Sequence, residues 1–271
     1  MVIDFHTHVF PDKIAKKTID FLAEKSGNEP FSDGTVFGLY NRLLGGCVDV
    51  AVALPVLTKP EQFESVLSFV VALNETYSKG DKKIISFGGI HPRCDDIRGK
   101  LKRVKELGLK GVKIHPDYQD TFIDDDGYLE ILKCAKDLDL IVVTHAGVDA
   151  GYRDKAVKCP PILARKVIDK IGHEKFVLAH FGGNEQTSEV LEHLAGQKVY
   201  FDTAYLLKTL CKKDFVSVLN KHGEDRILFA SDFPWSDFDS DVEVIKSYGL
   251  GAEIQEKILY KNAERLLCIK S

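Results

Sequence analysis

His6-Thr7-His8 is the first feature of this 271-residue chain whose spacing carries chemistry. Two imidazoles at i and i+2 project from one face of an extended strand, so both reach a single metal ion. Four more histidines occupy comparable places: His91, His115, His145 and His180 each follow a short apolar run, and Asp232 follows the last such run. Imidazole and carboxylate together suit a divalent ion, zinc first, with manganese and iron as alternatives. The candidate ligands are His6, His8, His145, His180 and Asp232. A water on such an ion ionises near neutral pH and attacks an ester, lactone or amide carbonyl. Asp232 and His180 are also the candidate catalytic groups. Asp232 would move the water's proton, and His180 would hold the oxygen that gains charge. The same arrangement supports a second reaction, protonation of a carbon with loss of carbon dioxide. His173, His193 and His222 lie in helices or at junctions and are expected to be solvated or to cap local structure.

These residues converge only if the runs that carry them are neighbouring staves of one sheet. The runs are Val2–Phe5, Val48–Leu54, Ile84–Ile90, Leu109–Ile114, Leu140–Thr144, Phe176–Ala179, Val199–Phe201 and Ile227–Ala230. They are short and rich in Val, Ile and Phe, the pattern of strands buried on both faces. Stretches of helical period fill the gaps, for example Phe63, Val66, Leu67, Val70 and Tyr77, or Tyr128, Ile131, Leu132, Ala135 and Leu138. Gly46, Gly80, Gly108, Gly172, Gly196 and Gly223 stand where a left-handed helix cap is wanted before the next strand. Eight strands alternating with helices predict an α/β fold, a single (β/α)8 TIM barrel spanning residues 1–271 as one domain, and the strand-end histidines make it one of metal-dependent hydrolase type. In a barrel the strand ends meet at one face, which is where the histidines fall. The first strand-to-helix turn reads His-Thr-His-Val-Phe-Pro, so a Gly-x-Gly-x-x-Gly dinucleotide fingerprint is absent from it.

Two connections are long, Ser26–Thr35 (followed by an extra helix near Val36–Leu44) and Ala146–Pro160, and long connections often serve as lids. The second carries Tyr152, Arg153 and Lys155, of which Arg153 suits a substrate carboxylate. Trp235, the one tryptophan, stands three residues past Asp232 and is expected to wall the pocket. His91 and His115 complete the expected substrate contacts. Asp202, at the end of the seventh run, is placed to orient a ligand histidine.

Asp4-Phe5-His6-Thr7-His8, Thr144-His145-Ala146-Gly147, Ala179-His180-Phe181-Gly182-Gly183, Phe229-Ala230-Ser231-Asp232-Phe233-Pro234-Trp235 and the tail Lys261-Asn262-Ala263-Glu264-Arg265-Leu266-Leu267 resemble, in order, the amidohydrolase superfamily. The branch they resemble contains aminocarboxymuconate semialdehyde decarboxylase and related hydrolases. The resemblance implies one metal on the first two histidines, His145 and Asp232, with His180 on a second metal or on the attacking water. Gly89-Ile90-His91-Pro92 is similar to a strand of metal-dependent deoxyribonucleases, but those enzymes use a glutamate in the region where this chain has Lys113. Gly111-Val112-Lys113-Ile114-His115-Pro116 resembles instead the strand of cyclic-amide hydrolases whose carboxylated lysine bridges two metals. On that resemblance Lys113 is a catalytic candidate and a second ion joins the first. Unmodified, Lys113 would pair with a carboxylate of the substrate or the protein.

Composition narrows the substrate. The 37 basic and 41 acidic side chains give a net charge of −4, so there is no broad basic field for a nucleic acid. No apolar run approaches the ~20 residues of a membrane span, and the first residues carry no basic, apolar leader. Six scattered cysteines without a Cys-x-x-Cys pair read as free thiols. The expectation is a cytoplasmic, metal-dependent hydrolase of a small polar or carboxylated molecule, with homo-oligomerisation allowed. A metal-dependent decarboxylase of an unsaturated or aromatic acid is the alternative, and a non-catalytic metal-holding barrel a third reading.

Overall fold

The computed structural model describes residues 1–269. Parallel strands alternate with helices: β1 (Ile3–Thr7), α1 (Asp12–Ser26), α2 (Val36–Gly45), β2 (Val50–Ala53), α3 (Phe63–Tyr77), β3 (Lys83–Ser86), β4 (Gly88–Gly89), α4 (Ile97–Glu106), β5 (Gly111–Ile114), α5 (Asp126–Asp137), β6 (Ile141–Thr144), α6 (Pro161–Ile171), β7 (Phe176–Leu178), α7 (Thr187–Glu189), β8 (Tyr200–Asp202), α8 (Lys212–His222), β9 (Ile227–Leu228), α9 (Phe238–Ser247), α10 (Ala252–Glu256) and α11 (Asn262–Leu267). Each strand pairs in parallel with the next in sequence, in two runs, β1 to β3 and β4 to β9. β3 and β4 are two pieces of one stave, parted at Phe87. The ring is tied shut where Phe5 N–H donates to Phe229 O at 2.9 Å and Asp232 N–H to His6 O at 2.9 Å. This is the expected (β/α)8 barrel, with its third stave bent.

Alternation divides the strands into two faces. Ala51, Ala53, Val112, Ile114, Val142 and Phe201 pack outward among helix residues such as Leu101, Val104 and Leu132. Val50, Val52, Phe87, Val143, Val177 and Leu228 fill the interior, joined by Ala263, Leu266 and Leu267 of α11. Ile3 and Phe5 belong to that inner set. Between Asp4 and Thr7 the pairing of β1 with β2 slips by one residue, a bulge. The extra residue lets His6 and His8 reach the interior as well, one step above Phe5.

Five of the six glycines expected as left-handed caps have positive φ, from 60° at Gly172 to 105° at Gly80. Gly46 differs. Its φ is −114°, and its glycine identity answers to space: a Cβ there would stand 2.7 Å from the Phe238 ring and 2.9 Å from Arg42 O. The seventh helical segment is interrupted. A short turn at Leu206–Lys208 precedes α8, so Leu206 and Leu210 are not on the helix that carries Val218 and Leu219. Helix α1 has no clean apolar stripe because it serves two surfaces. Ala15 and Ile19 face the core, while Ile14 and Phe21 border an open cavity. Among the described residues no helix is long and apolar enough to cross a membrane.

Candidate functional site

A cavity of about 740 Å³ opens at the carboxyl ends of the strands. His6, His8, Lys113, His115, His145, His180 and Asp232 line it, each from a different stave or strand-end loop except for the pairs His6/His8 and Lys113/His115. The walls are largely apolar: Phe10, Ile14 and Phe21 near α1, Leu54 after β2, Phe69 on α3, and Trp235 after β9.

Hydrogen-bond partners fix which ring nitrogen carries the proton at several of these histidines. His6 Nδ1 lies 2.8 Å from Asp202 Oδ2, so Nδ1–H donates and Nε2 keeps its lone pair. His8 Nδ1–H donates to Leu54 O at 2.9 Å, again leaving Nε2 bare. The two unprotonated nitrogens are 3.2 Å apart, and Lys113 Nζ stands 3.0 Å from that of His6. Asp232 Oδ1 stands 3.1 Å from His8 Nε2 and 3.5 Å from His6 Nε2. Three lone-pair donors therefore face one another across the space of an ion, a grouping that could hold a divalent metal.

Asp202 supports this group from behind. Besides His6 it accepts from His180 N–H at 2.9 Å and Ala204 N–H at 3.1 Å, tying two strand ends together. This is the orienting role expected of it. Asp232 has φ 69° and His180 φ 55°, left-handed values that are costly for residues bearing a Cβ. Both turn the chain sharply at the mouth, and that turn aims their side chains inward. Gly147, with φ 84°, allows the loop after β6 to cross the loop after β7: a Cβ there would meet Asn184 N at 2.1 Å.

Charge follows burial. Desolvation, with Lys113 nearby, holds the His6 imidazole well below its ordinary range. Burial likewise depresses His145 and His115. Neutral imidazoles are the metal-binding form. Burial pulls the Lys113 ammonium down to about 8, and its Nζ sits 3.0 Å from His6 Nε2. Burial alone would raise Asp232, but His6 and His8 outweigh it and the carboxyl is held below its usual value.

The expected ligands do not all fall together. His145 and His180 form their own pair. His180 Nδ1–H donates to Ala204 O, and its Nε2 accepts from His145 Nδ1–H at 2.9 Å. Among the described residues, the donor groups close enough for an ion are His6–His8–Asp232 and, separately, His115–His145–Asp149. His115 and Trp235 line the cavity as expected. His91 does not. Phe87 fills the inner position of its stave, and His91 is folded into the following turn, where its Nδ1 accepts from Arg93 N–H at 3.1 Å. Arg153 also misses the cavity. Its guanidinium forks onto Glu185 at the surface, with both partners about half exposed. Its neighbour Tyr152 does line the cavity, under the Lys25 ammonium 3.2 Å from its ring centre. Asp149 and Tyr118 line it too and were not expected. The only sequence signal for Asp149 was a carboxylate four residues past a strand-end histidine.

Fold, strand-end donors and the ion-sized gap between them define a metal-dependent barrel enzyme. The sequence model of the family described as Amidohydrolase matches residues 87–269, and the chain belongs to that family. The matched stretch holds His145, His180 and Asp232; the His6–His8 pair lies before it. No curated protein shows a significant sequence match. The chain is similar in fold to solved structures over nearly its whole length. An uncharacterized TIM-barrel protein from Bordetella bronchiseptica superposes with a TM-score of 0.74 at 18% identity, covering 98% of both chains. The 5-carboxyvanillate decarboxylase of Sphingomonas paucimobilis gives 0.70 at 15% identity, covering 99% of both. A dihydroxybenzoic acid decarboxylase from a Polaromonas species, solved with bound manganese and the inhibitor 2-nitroresorcinol, gives 0.70 at 15% identity, covering 98% of this chain and 96% of that one.

Proposed function

We propose that the protein is a metal-dependent, non-oxidative decarboxylase of a small unsaturated or aromatic carboxylic acid. The observation that carries this reading is the cavity itself, about 740 Å³ with apolar walls and the His6–His8–Asp232 group at its floor. Apolar walls suit a planar hydrocarbon ring, while the floor takes its oxygens. The decarboxylases of similar fold, one with manganese bound, support the choice over hydrolysis. Zinc and manganese both fit a site of two imidazoles and a carboxylate.

A divalent ion held by His6 Nε2, His8 Nε2 and Asp232 would supply positive charge to bind and polarise the substrate's oxygens. The chain's own groups do the rest. The walls keep bulk water from the ring and from the carbon that gains a proton. Asp232, ionised and lining the cavity, takes a proton from an acidic group of the substrate or a water and returns it to the carboxylated carbon. The carbon–carboxylate bond then breaks, its electrons stay with the ring, and carbon dioxide leaves. The Lys113 ammonium, 3.0 Å from His6 Nε2, adds positive charge on the floor where the carboxylate enters. Hydrolysis is the second reading, and Lys113 is what favours it, because a carboxylated lysine beside His6 would bridge two ions.

The test is a panel of hydroxylated aromatic acids, lactones and cyclic amides assayed in 18O-labelled water. Decarboxylation predicts carbon dioxide release with no label in the remaining organic product. Label in a newly formed carboxylate, with no carbon dioxide, reverses the assignment to hydrolysis.

A further inference from the structure

The cavity is larger than the reaction at its floor requires. A hydroxylated benzoate displaces roughly five waters, about 150 Å³ at ~30 Å³ each, so most of the 740 Å³ lies beyond the ring. The chemistry-bearing groups His6, His8, Lys113 and Asp232 are gathered at the floor. Away from them, two helices supply the walls. On α1, Ile14, Thr18 and Phe21 follow one another at i, i+4 and i+7 and all border the cavity, while the helix's buried residues are Ala15 and Ile19. This second stripe runs about 10 Å along the helix at ~1.5 Å per residue. On α3, Ser65, Val66 and Phe69 line the same cavity within one turn, while Leu67 and Val70 are buried. Ile14 is 49% exposed and Phe21 59% exposed, so the core does not depend on either. Large apolar side chains displayed beside a concave space mark a surface kept for a ligand.

We propose that the α1–α3 side of the cavity is a subsite for an apolar arm, so that the acid the enzyme takes carries an alkyl chain of several carbons on its ring. The inference rests on the decarboxylase reading for the head of that molecule and adds its tail. The two ends of the cavity agree with such a molecule. The floor takes a carboxylate and its neighbouring oxygen, and the helix walls take methylenes, which have no hydrogen bonds to lose. With the carboxylate on the floor, the ring position para to it points away from the floor and toward the mouth, where the walls stand. Ile14 and Phe21 border a concavity continuous with that floor, which a chain threads and a flat protein surface does not enter. A chain lying there covers apolar surface on both helices, and removing that surface from water is the source of its affinity.

The probe is a set of salicylates bearing an alkyl chain, methyl to octyl, para to the carboxylate. They are mixed rapidly with metal-loaded full-length protein, and binding is read before turnover as quenching of Trp235, the one tryptophan and a cavity residue. A fully buried methylene is worth roughly fourfold in affinity; with the walls partly open, about twofold per methylene is expected, on the order of a hundredfold from methyl to octyl. The double variant Ile14→Ser, Phe21→Ser should lose at least half of the slope of log Kd against chain length. A change that only disturbed the fold would shift every member alike and keep the slope. Thr18→Trp fills the subsite from α1 without removing an apolar side chain. It should abolish the gain beyond the shortest chains, and it carries the test if the double variant fails to fold. Affinity independent of chain length in wild type overturns the proposal, as does a wild-type slope in either folded variant. A changed oligomeric state by light scattering, with the slope intact, assigns the face to a second copy of the chain and overturns it too. Because binding is read and not turnover, a steep slope without carbon dioxide release sustains the subsite and counts against decarboxylation alone.

Discussion

Two sets of histidines sit at opposite ends of the barrel, and burial does not separate them: His6, His173 and His222 are all buried, and His8 is partly so. At the amino ends of the strands, His173 Nε2–H donates to Leu140 O at 2.9 Å. There too, His222 donates from Nε2 to Val199 O at 3.1 Å and accepts from Gly196 N–H on Nδ1, its ring stacked on Phe201. Every nitrogen of His222 is spent within the protein. At the mouth, His6 and His8 donate from Nδ1, to Asp202 and to a carbonyl, and their unprotonated Nε2 atoms are aimed at each other and at Asp232, with Lys113 Nζ 3.0 Å from that of His6. What sets the mouth pair apart is that their unprotonated nitrogens face each other and a carboxylate, where that of His222 faces a backbone N–H. The lower pair staples a helix end to a strand start; the upper pair, with Asp232, forms a group that could hold a metal ion.

That contrast ranks what substitutions should do. The double change His6→Asn, His8→Asn removes both bare nitrogens. It should abolish turnover and remove the ion from the first group by elemental analysis, while leaving the far-ultraviolet circular dichroism unchanged. Asp232→Asn keeps size and one coordinating oxygen but not the basic carboxylate. At matched metal occupancy kcat should fall ~10²–10⁴-fold, the ordinary cost of losing a general acid–base group. Near wild-type turnover in that variant would remove Asp232 from the proton's path. Asp202→Asn still accepts from His180 N–H, yet it presents an amide to His6 Nδ1–H and so disturbs the tautomer. Metal affinity should drop ~10–100-fold, the usual loss when the carboxylate behind a ligand histidine is altered. Direct titration of apoprotein measures it.

At the other end of the barrel the effect is on stability alone. Burial lowers His222 from its ordinary 6.5 to about 4, and His173 likewise. Between those values the unfolded chain binds a proton that the folded chain refuses. Their contribution therefore makes stability fall as pH drops from 6.5 to 4 and leaves it unaffected above 6.5. His222→Gln should flatten that part of the pH dependence by about 3 kcal/mol in urea unfolding, with metal content unchanged. A slope identical to wild type would mean that His222 titrates as freely in the folded chain as in the unfolded one.

The sequence revealed the lower and upper sets unequally. The alternation of short apolar runs with helical stripes exposed the barrel, and placing His6, His8, His115, His145, His180 and Asp232 at run ends brought all six to one cavity. Four things resisted. The bulge in β1 changes strand parity, so Phe5 and His6 both face inward, and a simple two-residue period does not reveal it. The bend at Phe87 sends His91 into a turn, although the residues around it read as an unbroken strand. Helix α1 hid because Ile14 and Phe21 serve the cavity and not the core, which erases the usual stripe. Arg153 looked suited to a carboxylate, but pairing with Glu185, 32 positions away, is a tertiary event that no local pattern shows.

The central claim is that leftover lone pairs on His6, His8 and Asp232 hold the ion on which activity depends. A crystal of the metal-loaded protein, measured on both sides of the metal's absorption edge, tests it directly. The account predicts an anomalous peak ~2.0–2.2 Å from His6 Nε2, His8 Nε2 and an Asp232 oxygen. A fully loaded, active crystal with no peak at that position, or with those side chains hydrogen-bonded to one another through protons, would contradict it.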